Sequence, residues 1–246
     1  MNPYNSFASV YDVLNTETDY RAMAEHIAKI FRSAGVEDGA LVLDLGCGTG
    51  TLTGELCRLG YDMTAVDSSD GMLSLAREKC SEGVLFLCQD ITGFELYGTV
   101  SAAVCTMDTL NHLTDPGDLA RTLDLLHNYI EPDGVLVFDV NSPYKFGKVY
   151  GNCDYILEDE GVMLTWQNDY RPEEKIADFY ISVFRENGDG LWERSDADFS
   201  ERCYTLEELR ELLCRAGFEL LSVTDSYSDR EIVADTQRYC ISARRI

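Results

Sequence analysis

Apolar positions change period several times along this chain, and the changes divide it into elements. Tyr20, Met23, Ala24, Ile27, Ala28, Ile30 and Phe31 fall largely on one helical face with Gly35 as the stop, so a helix precedes the first strand. Leu41-Val42-Leu43-Asp44-Leu45 is apolar at all but one position, as a strand covered on both faces must be, and it runs into Gly46-Cys47-Gly48-Thr49-Gly50. From Thr51 the apolar residues are Leu52, Leu56 and Leu59, a helical spacing closed by Gly60. Tyr61 to Val66 reads as a second buried strand ending in Asp67, after which Ser68 or Ser69 can cap a helix from about Asp70 to Lys79. Gly83 to Cys88 and Val100 to Cys105 give the third and fourth strands. Asp115 caps a helix with Pro116 in its first turn and Leu119, Leu123, Leu126 and Ile130 toward the sheet, until Glu131-Pro132-Asp133-Gly134 forces a turn into a fifth strand, Val135 to Val140. Strand and helix in alternation predict a doubly wound, mainly parallel α/β sheet.

Between about Asn141 and Ser200 the period becomes two. Val162, Leu164, Trp166, Asn168 and Tyr170 share one strand face; Arg171 to Lys175 turns; Ala177, Phe179, Ile181 and Val183 alternate back; and Asn187-Gly188-Asp189-Gly190 turns again. The expectation is an antiparallel β insertion after the fifth strand. Thr205-Leu206-Glu207-Glu208 is then a capping box for a helix with Leu209, Leu212 and Leu213 as its stripe, ended by Gly217. Phe218 to Thr224 and Arg238 to Ala243 close the sheet, which makes seven strands in all.

Composition narrows the partners. Against 44 acidic residues stand only 20 lysines and arginines, a net charge of -24 that repels phosphate backbones and anionic membranes. A small molecule is therefore the expected partner, with no nucleic acid and no membrane. Nine cysteines, an odd number with no C-x-x-C pair, fit reduced thiols and a cytoplasmic location better than a disulfide frame or a zinc site. No metal is expected, because histidines, cysteines and carboxylates do not cluster at ligand spacing. The chain opens without a basic-then-apolar leader.

The candidate chemistry lies where the first strand meets the glycines. Glycine permits the positive backbone angles of a tight turn and lets a ligand lie against the main chain at a helix N-terminus. Asp67, one strand further on, is placed to accept hydrogen bonds from ribose hydroxyls. The dinucleotide fingerprint is G-x-G-x-x-G, whereas this chain has G-x-G-x-G with Thr51 where the third glycine of that fingerprint would fall. Asp44-Leu45-Gly46-Cys47-Gly48-Thr49-Gly50 resembles the first motif of the class I S-adenosylmethionine (SAM) dependent methyltransferases. No basic neighbour in sequence activates Cys47, so a small side chain inside the loop is its expected role.

The resemblance covers nearly the whole chain, strongest over residues 41 to 140, and it implies a Rossmann-like fold with SAM as cofactor. It places Asp44, Gly46, Cys47, Gly48, Asp67, Ser68, Met72 and Met107 around that cofactor. Gln89-Asp90-Ile91 resembles the family segment that reads the adenine, with Asp90 accepting from the exocyclic amine and Ile91 over the ring. The Tyr4, Phe7, Tyr11-Asp12 pattern resembles the N-terminal lid of small-molecule methyltransferases, and ordinary aromatic packing explains it equally well. The insertion resembles the substrate cover of N-methyltransferases acting on small molecules such as amino sugars. On this reading residues 1–140 and 201–246 form the core, with the lid in 1–35, and 141–200 cover the substrate. The predicted reaction is in-line methyl transfer to a small molecule, an amine for preference, by a monomer or homodimer. Alignment alone is worth roughly 7 to 11 kcal/mol, so a neutral amine acceptor makes a dedicated base optional. His112, after the fourth strand, and Tyr11 are the candidate bases, while His26 and His127 lie inside predicted helices and read as structural. Asn141-Ser142-Pro143-Tyr144 resembles the Asn-Pro-Pro-Tyr motif of methyltransferases of amino groups, but it follows the fifth strand instead of the fourth and is read as chance. The alternative is a protein that binds SAM, or a nicotinamide dinucleotide, without catalysis.

Overall fold

The computed structural model describes residues 11, 15, 17–80, 83–159 and 161–246. Helix α1 (Tyr20–Ser33) leads into strand β1 (Leu41–Leu45), α2 (Thr51–Arg58), β2 (Asp62–Asp67), α3 (Asp70–Lys79), β3 (Leu85–Cys88), β4 (Val100–Cys105), α4 (Pro116–Tyr129) and β5 (Ile130–Asn141). Strands β6 (Asp154–Asp159), β7 (Val162–Arg171), β8 (Ile176–Glu186) and β9 (Trp192–Arg202) follow, then α5 (Leu206–Arg215), β10 (Phe218–Asp225) and β11 (Arg238–Arg245). Tyr4, Phe7 and Asp12, which the resemblance assigns to a lid, lie outside the described residues.

The main sheet has seven strands in the order β10-β11-β5-β4-β1-β2-β3. The first five strands run parallel, and β11 pairs antiparallel with both β5 and β10. Order reverses beside β1, so β1 and β4 part at their carboxyl ends into a crevice where an open α/β sheet takes its ligand. Side chains alternate across the sheet: Leu43, Leu45, Ala103, Cys105 and Phe138 pack with α4 and α5 on one face. Val42, Ala102, Val104 and Val137 pack with α1 and α2 on the other, which is why these strands read as nearly unbroken apolar runs.

Local signals start the helices where the sequence places them. Ser69 accepts from the Met72 amide at 3.2 Å, Asp115 from the Gly117 amide at 2.8 Å, and Thr205 with Glu208 forms the capping box. One expectation needs correction. Glu131 to Gly134 does not separate α4 from the fifth strand, because β5 already pairs with β4 at Ile130 and the four residues are taken up as a register shift between Val100↔Ile130 and Ala102↔Val135. Gly134 has no room for a β-carbon, which would meet Ser101 O at 2.7 Å, so the bulge is pressed against β4.

Strands β6 to β9 form a separate antiparallel sheet in simple meander order. Its buried face carries Leu164, Ile181, Val183 and Ala197 in one cluster, and Ala177 and Phe179 in another with Phe146 and Tyr150. The latter two come from a π-helical turn, Lys145–Tyr150, that links β5 to this sheet and was not legible as an element in the sequence.

Candidate functional site

The cradle is built by three glycines with positive φ, Gly46 (79°), Gly48 (53°) and Gly50 (73°), two of them close-packed and one open. A β-carbon on Gly46 would lie 2.4 Å from Thr109 Cγ2, and one on Gly50 would lie 2.8 Å from Ala76 Cβ, so these two positions let the loop close on its neighbours. A β-carbon on Gly48 would meet nothing within 4 Å, because this residue borders open space. The Gly48 amide donates to Asp67 Oδ2 at 2.9 Å and the Ser69 amide to Oδ1 at 2.8 Å, which ties the loop to the end of β2. Burial raises the Asp67 carboxyl above its ordinary value, and backbone hydrogen bonds from Ser69, Gly48 and Ser68 oppose that rise.

A cavity of about 470 Å³ opens at this edge of the sheet. At one end it is lined by Gly46, Gly48, Asp67, Ser68, Met72, Asp90, Ile91 and Met107. Asp90 is exposed, and its Oδ1 takes both the amide (2.8 Å) and the hydroxyl (2.7 Å) of Thr92, which fixes the carboxylate at the mouth. Asp44 and Cys47 line a smaller recess behind the loop, together with Gly46, Gly48 and Met107. Asp44 is 1% exposed and accepts from the Thr53 hydroxyl at 2.6 Å; burial pushes its carboxyl up to about 7, the Thr53 bond opposing and Asp67 adding to the rise. Burial and the neighbouring carboxylates Asp44 and Asp67 push the Cys47 thiol well above its usual value, the reverse of an activated nucleophile.

The other end of the cavity is walled by Tyr11, Asp108, His112, Lys145, Tyr150, Trp166, Ile181, Phe199, Glu201 and Arg238. Here the strands of the second sheet roof the crevice of the first. The His112 ring meets Phe199 of β9 edge-on with centroids 5.2 Å apart. Burial lowers its pKa, against Asp108 and a backbone hydrogen bond to Ser200, so the imidazole is neutral near neutral pH. Tyr11 is pushed well above its ordinary value by burial and then by Tyr20 and Asp108, so its phenol stays protonated and can donate. His26 and His127 stand outside the cavity: the first pairs at 4.0 Å with Asp229, the second stacks edge-on with Phe218.

Sequence reasoning missed a buried polar network beneath this end. Met107 and Asp108 both have positive φ, 55° and 57°, and their amides donate to Asp139 at 2.7 Å each. Arg238 bridges Asp139 and Asp108, reaching Oδ1 of Asp108 at 3.0 Å, and Tyr227 also donates to Asp139. Burial alone would raise the Asp108 carboxyl, but Arg238 and then Lys145 hold it well below the usual range. The available signal was Asp139 itself, a lone carboxylate inside the apolar run Val135 to Val140, since a charge in a covered strand needs a partner. Asn141, read as part of a chance motif, is fully buried behind the lining residues and hydrogen-bonds to several of them.

Among the described residues no group of three or more histidines, cysteines or carboxylates is arranged to hold a metal ion, and no helix is long and apolar enough to cross a membrane. The structure therefore defines a class: an α/β protein whose glycine loop faces open space at the carboxyl edge of a mainly parallel sheet, beneath an antiparallel roof. Comparison with known proteins narrows it. A family model described as a methyltransferase domain matches residues 42–134. YqeM of Bacillus subtilis (strain 168), whose methyltransferase name is provisional, is 33% identical over 98% of this chain and 97% of its own length. The crystal structure of a SAM-dependent methyltransferase from Clostridium acetobutylicum ATCC 824 superposes with a TM-score of 0.89 at 30% identity, covering 99% of each chain. A Streptomyces venezuelae N,N-dimethyltransferase of a dTDP-activated amino sugar is 30% identical over 59% of this chain and 60% of its own. The chain belongs to the class I SAM-dependent methyltransferases, and S-adenosylmethionine is its cofactor. The open space at Gly48 beside the Asp67 carboxylate fits that cofactor, whose path a β-carbon would begin to fill.

Proposed function

We propose that this methyltransferase acts on the nitrogen of a small-molecule amine held at the roofed end of the cavity. The carrying observation is continuity: one cavity joins the Gly48 and Asp67 end to an end lined by aromatic rings and carboxylates. Gly46, Cys47 and Gly48 would hold the amino-acid portion of the cofactor with Asp44 behind them, Asp67, Ser68 and Met72 the ribose, Asp90 and Ile91 the adenine, and Met107 the sulfonium side. When bound, SAM supplies an electrophilic methyl group. The chain's own residues then align the acceptor and manage its proton. An amine arrives largely as an ammonium ion, and the neutral, buried His112 is suited to take its proton before transfer. Tyr11 serves as a hydrogen-bond donor that positions the acceptor. Residues 141–200 cover the acceptor, and residues 1–140 and 201–246 hold the cofactor while also supplying Tyr11, Asp108, His112, Glu201 and Arg238 to the roofed end.

The relative that methylates an amino sugar favours nitrogen over oxygen, as does a cavity wall bearing the Asp108 and Glu201 carboxyls. The test is turnover, read as S-adenosylhomocysteine release, across matched panels of small amines and of alcohols of the same shape. Turnover confined to amines is expected. Turnover confined to alcohols would overturn the nitrogen assignment.

A further inference from the structure

The polar wall of the acceptor end is organised by one side chain. Asn141 closes β5 and is 0% exposed; its own amide N–H is fixed by Asn111 Oδ1 at 2.9 Å, and Asn111 is held in turn by the Arg202 carbonyl at 2.8 Å. The Asn141 carboxamide is thereby oriented. Its oxygen accepts from Lys145 Nζ at 2.9 Å, and its nitrogen lies 2.9 Å from Asp108 Oδ2, 3.1 Å from Glu201 Oε2 and 3.3 Å from the Tyr150 hydroxyl. Two amide hydrogens face three oxygens, so Asp108, Glu201 and Tyr150 share the donors of one carboxamide.

Charge counting points the same way. Asp108 and Asp139 are matched by Arg238 and by Lys145, which is held by the neutral Asn141 oxygen over the Tyr150 ring. Those four charges cancel and leave Glu201 over. Glu201 lines the cavity although it is 2% exposed, and among the described residues the one hydrogen bond to its carboxyl is the shared one from Asn141. Around it stand Asp108 and His112 from the segment after β4, Lys145 and Tyr150 from the π-helical turn, and Arg238 from β11. Burial and then Asp108 raise its carboxyl well above the usual range, with Asn141, Lys145 and Arg238 opposing, so the carboxyl keeps its proton while the cavity lacks a further cation.

We infer that Glu201 is the specificity-determining group of the acceptor site: it receives a cationic ammonium acceptor as its missing ion-pair partner. This rests on the amine reading and specifies the acceptor as a small aliphatic ammonium ion, seated on the Asn141 hub beneath Trp166 and Phe199. On binding, the O–H bond of Glu201 breaks, the proton passes to solvent, and a charge-assisted N–H to carboxylate hydrogen bond forms. Because the empty site holds the proton, affinity for the cation rises with pH until the free carboxyl is itself ionised.

Cyclohexylammonium and its neutral isostere cyclohexanol are suitable probes, titrated calorimetrically into the protein saturated with S-adenosylhomocysteine in two buffers of different ionisation enthalpy. The wild type is expected to bind the cation with release of a large fraction of one proton, a measurement that needs no variant. Glu201→Gln keeps the acceptor oxygen for Asn141, and should abolish proton release and weaken cation binding at least tenfold, while cyclohexanol affinity stays the same. Equal cation affinity in the two proteins, cation binding without proton release, or no saturable cation binding by the wild type would each overturn the inference. The amine reading fails by a different result, turnover of alcohols but not amines, and survives if Glu201→Gln methylates amines with an unaltered KM.

Discussion

At the scale of single residues, the cradle separates glycines packed against their neighbours from the one that faces open space. Gly48 and Gly50 share a left-handed backbone, which costs an alanine roughly 1 to 2 kcal/mol at either place. Only at Gly50 would the new methyl also collide with Ala76 of α3. Gly50→Ala should therefore lower the unfolding midpoint clearly more than Gly48→Ala, whereas Gly48→Ala should lose SAM affinity by tenfold or more while unfolding cooperatively. Calorimetric binding alongside thermal denaturation checks both halves, and an unimpaired SAM affinity in Gly48→Ala would remove the loop from the cofactor site. The loop and Asp67 were legible in the sequence because their constraints are local: a tight turn needs glycine, and the carboxylate lies 19 positions beyond Gly48, one strand over. The network under the roofed end of the cavity was not. Arg238 meets Asp108 across 130 positions and Glu201 meets Asn141 across 60, pairings that only the closed fold creates and that leave no periodic trace.

At the scale of elements, strands buried on both faces and meander strands with alternating faces announced themselves, while short and irregular pieces did not. Strand β6 has Ile156 at 72% and Leu157 at 47% exposure, so this edge strand lacks the one-sided pattern that betrays a covered one. The π-helical turn at Lys145–Tyr150 is six residues long, too short for a period, yet it delivers Lys145 and Tyr150 to the cavity. What these elements do together can be probed at Phe199, where β9 touches the segment after β4. Phe199 stacks on His112 and, at 5.2 Å between centroids, on Phe179, so it links the roof to the cavity wall without lining the Gly48 end. Truncating such a ring costs about 3 to 5 kcal/mol when fully buried and less at a half-buried site such as this. Phe199→Ala is accordingly expected to remain folded, to bind SAM within about twofold of wild type, and to lose acceptor turnover at least tenfold, equivalent to about 1.4 kcal/mol of transition-state alignment. Parallel loss of SAM affinity in a folded variant would show that β9 serves the cofactor end as well.

At the scale of the whole molecule, a charge of -24 surrounds a cavity whose buried charges nearly balance. A field of that sign concentrates cations near the protein and repels anions, an effect that added salt screens over a Debye length of about 10 Å at 0.1 M. The ion pair proposed inside the cavity is sheltered from that screening by the roof. If the acceptor is an ammonium ion, raising sodium chloride from low to moderately high ionic strength should lower kcat/KM severalfold, mainly through KM. kcat should hardly move, because alignment of the bound acceptor involves no solvent-exposed charge. Steady-state kinetics of one amine at several salt concentrations, with an alcohol isostere bound as a competitive probe at each, separates this from a general salt effect on stability. A neutral probe should keep its inhibition constant across the series, and a KM for the amine that is flat with salt would mean that the acidic surface plays no part in drawing the acceptor in.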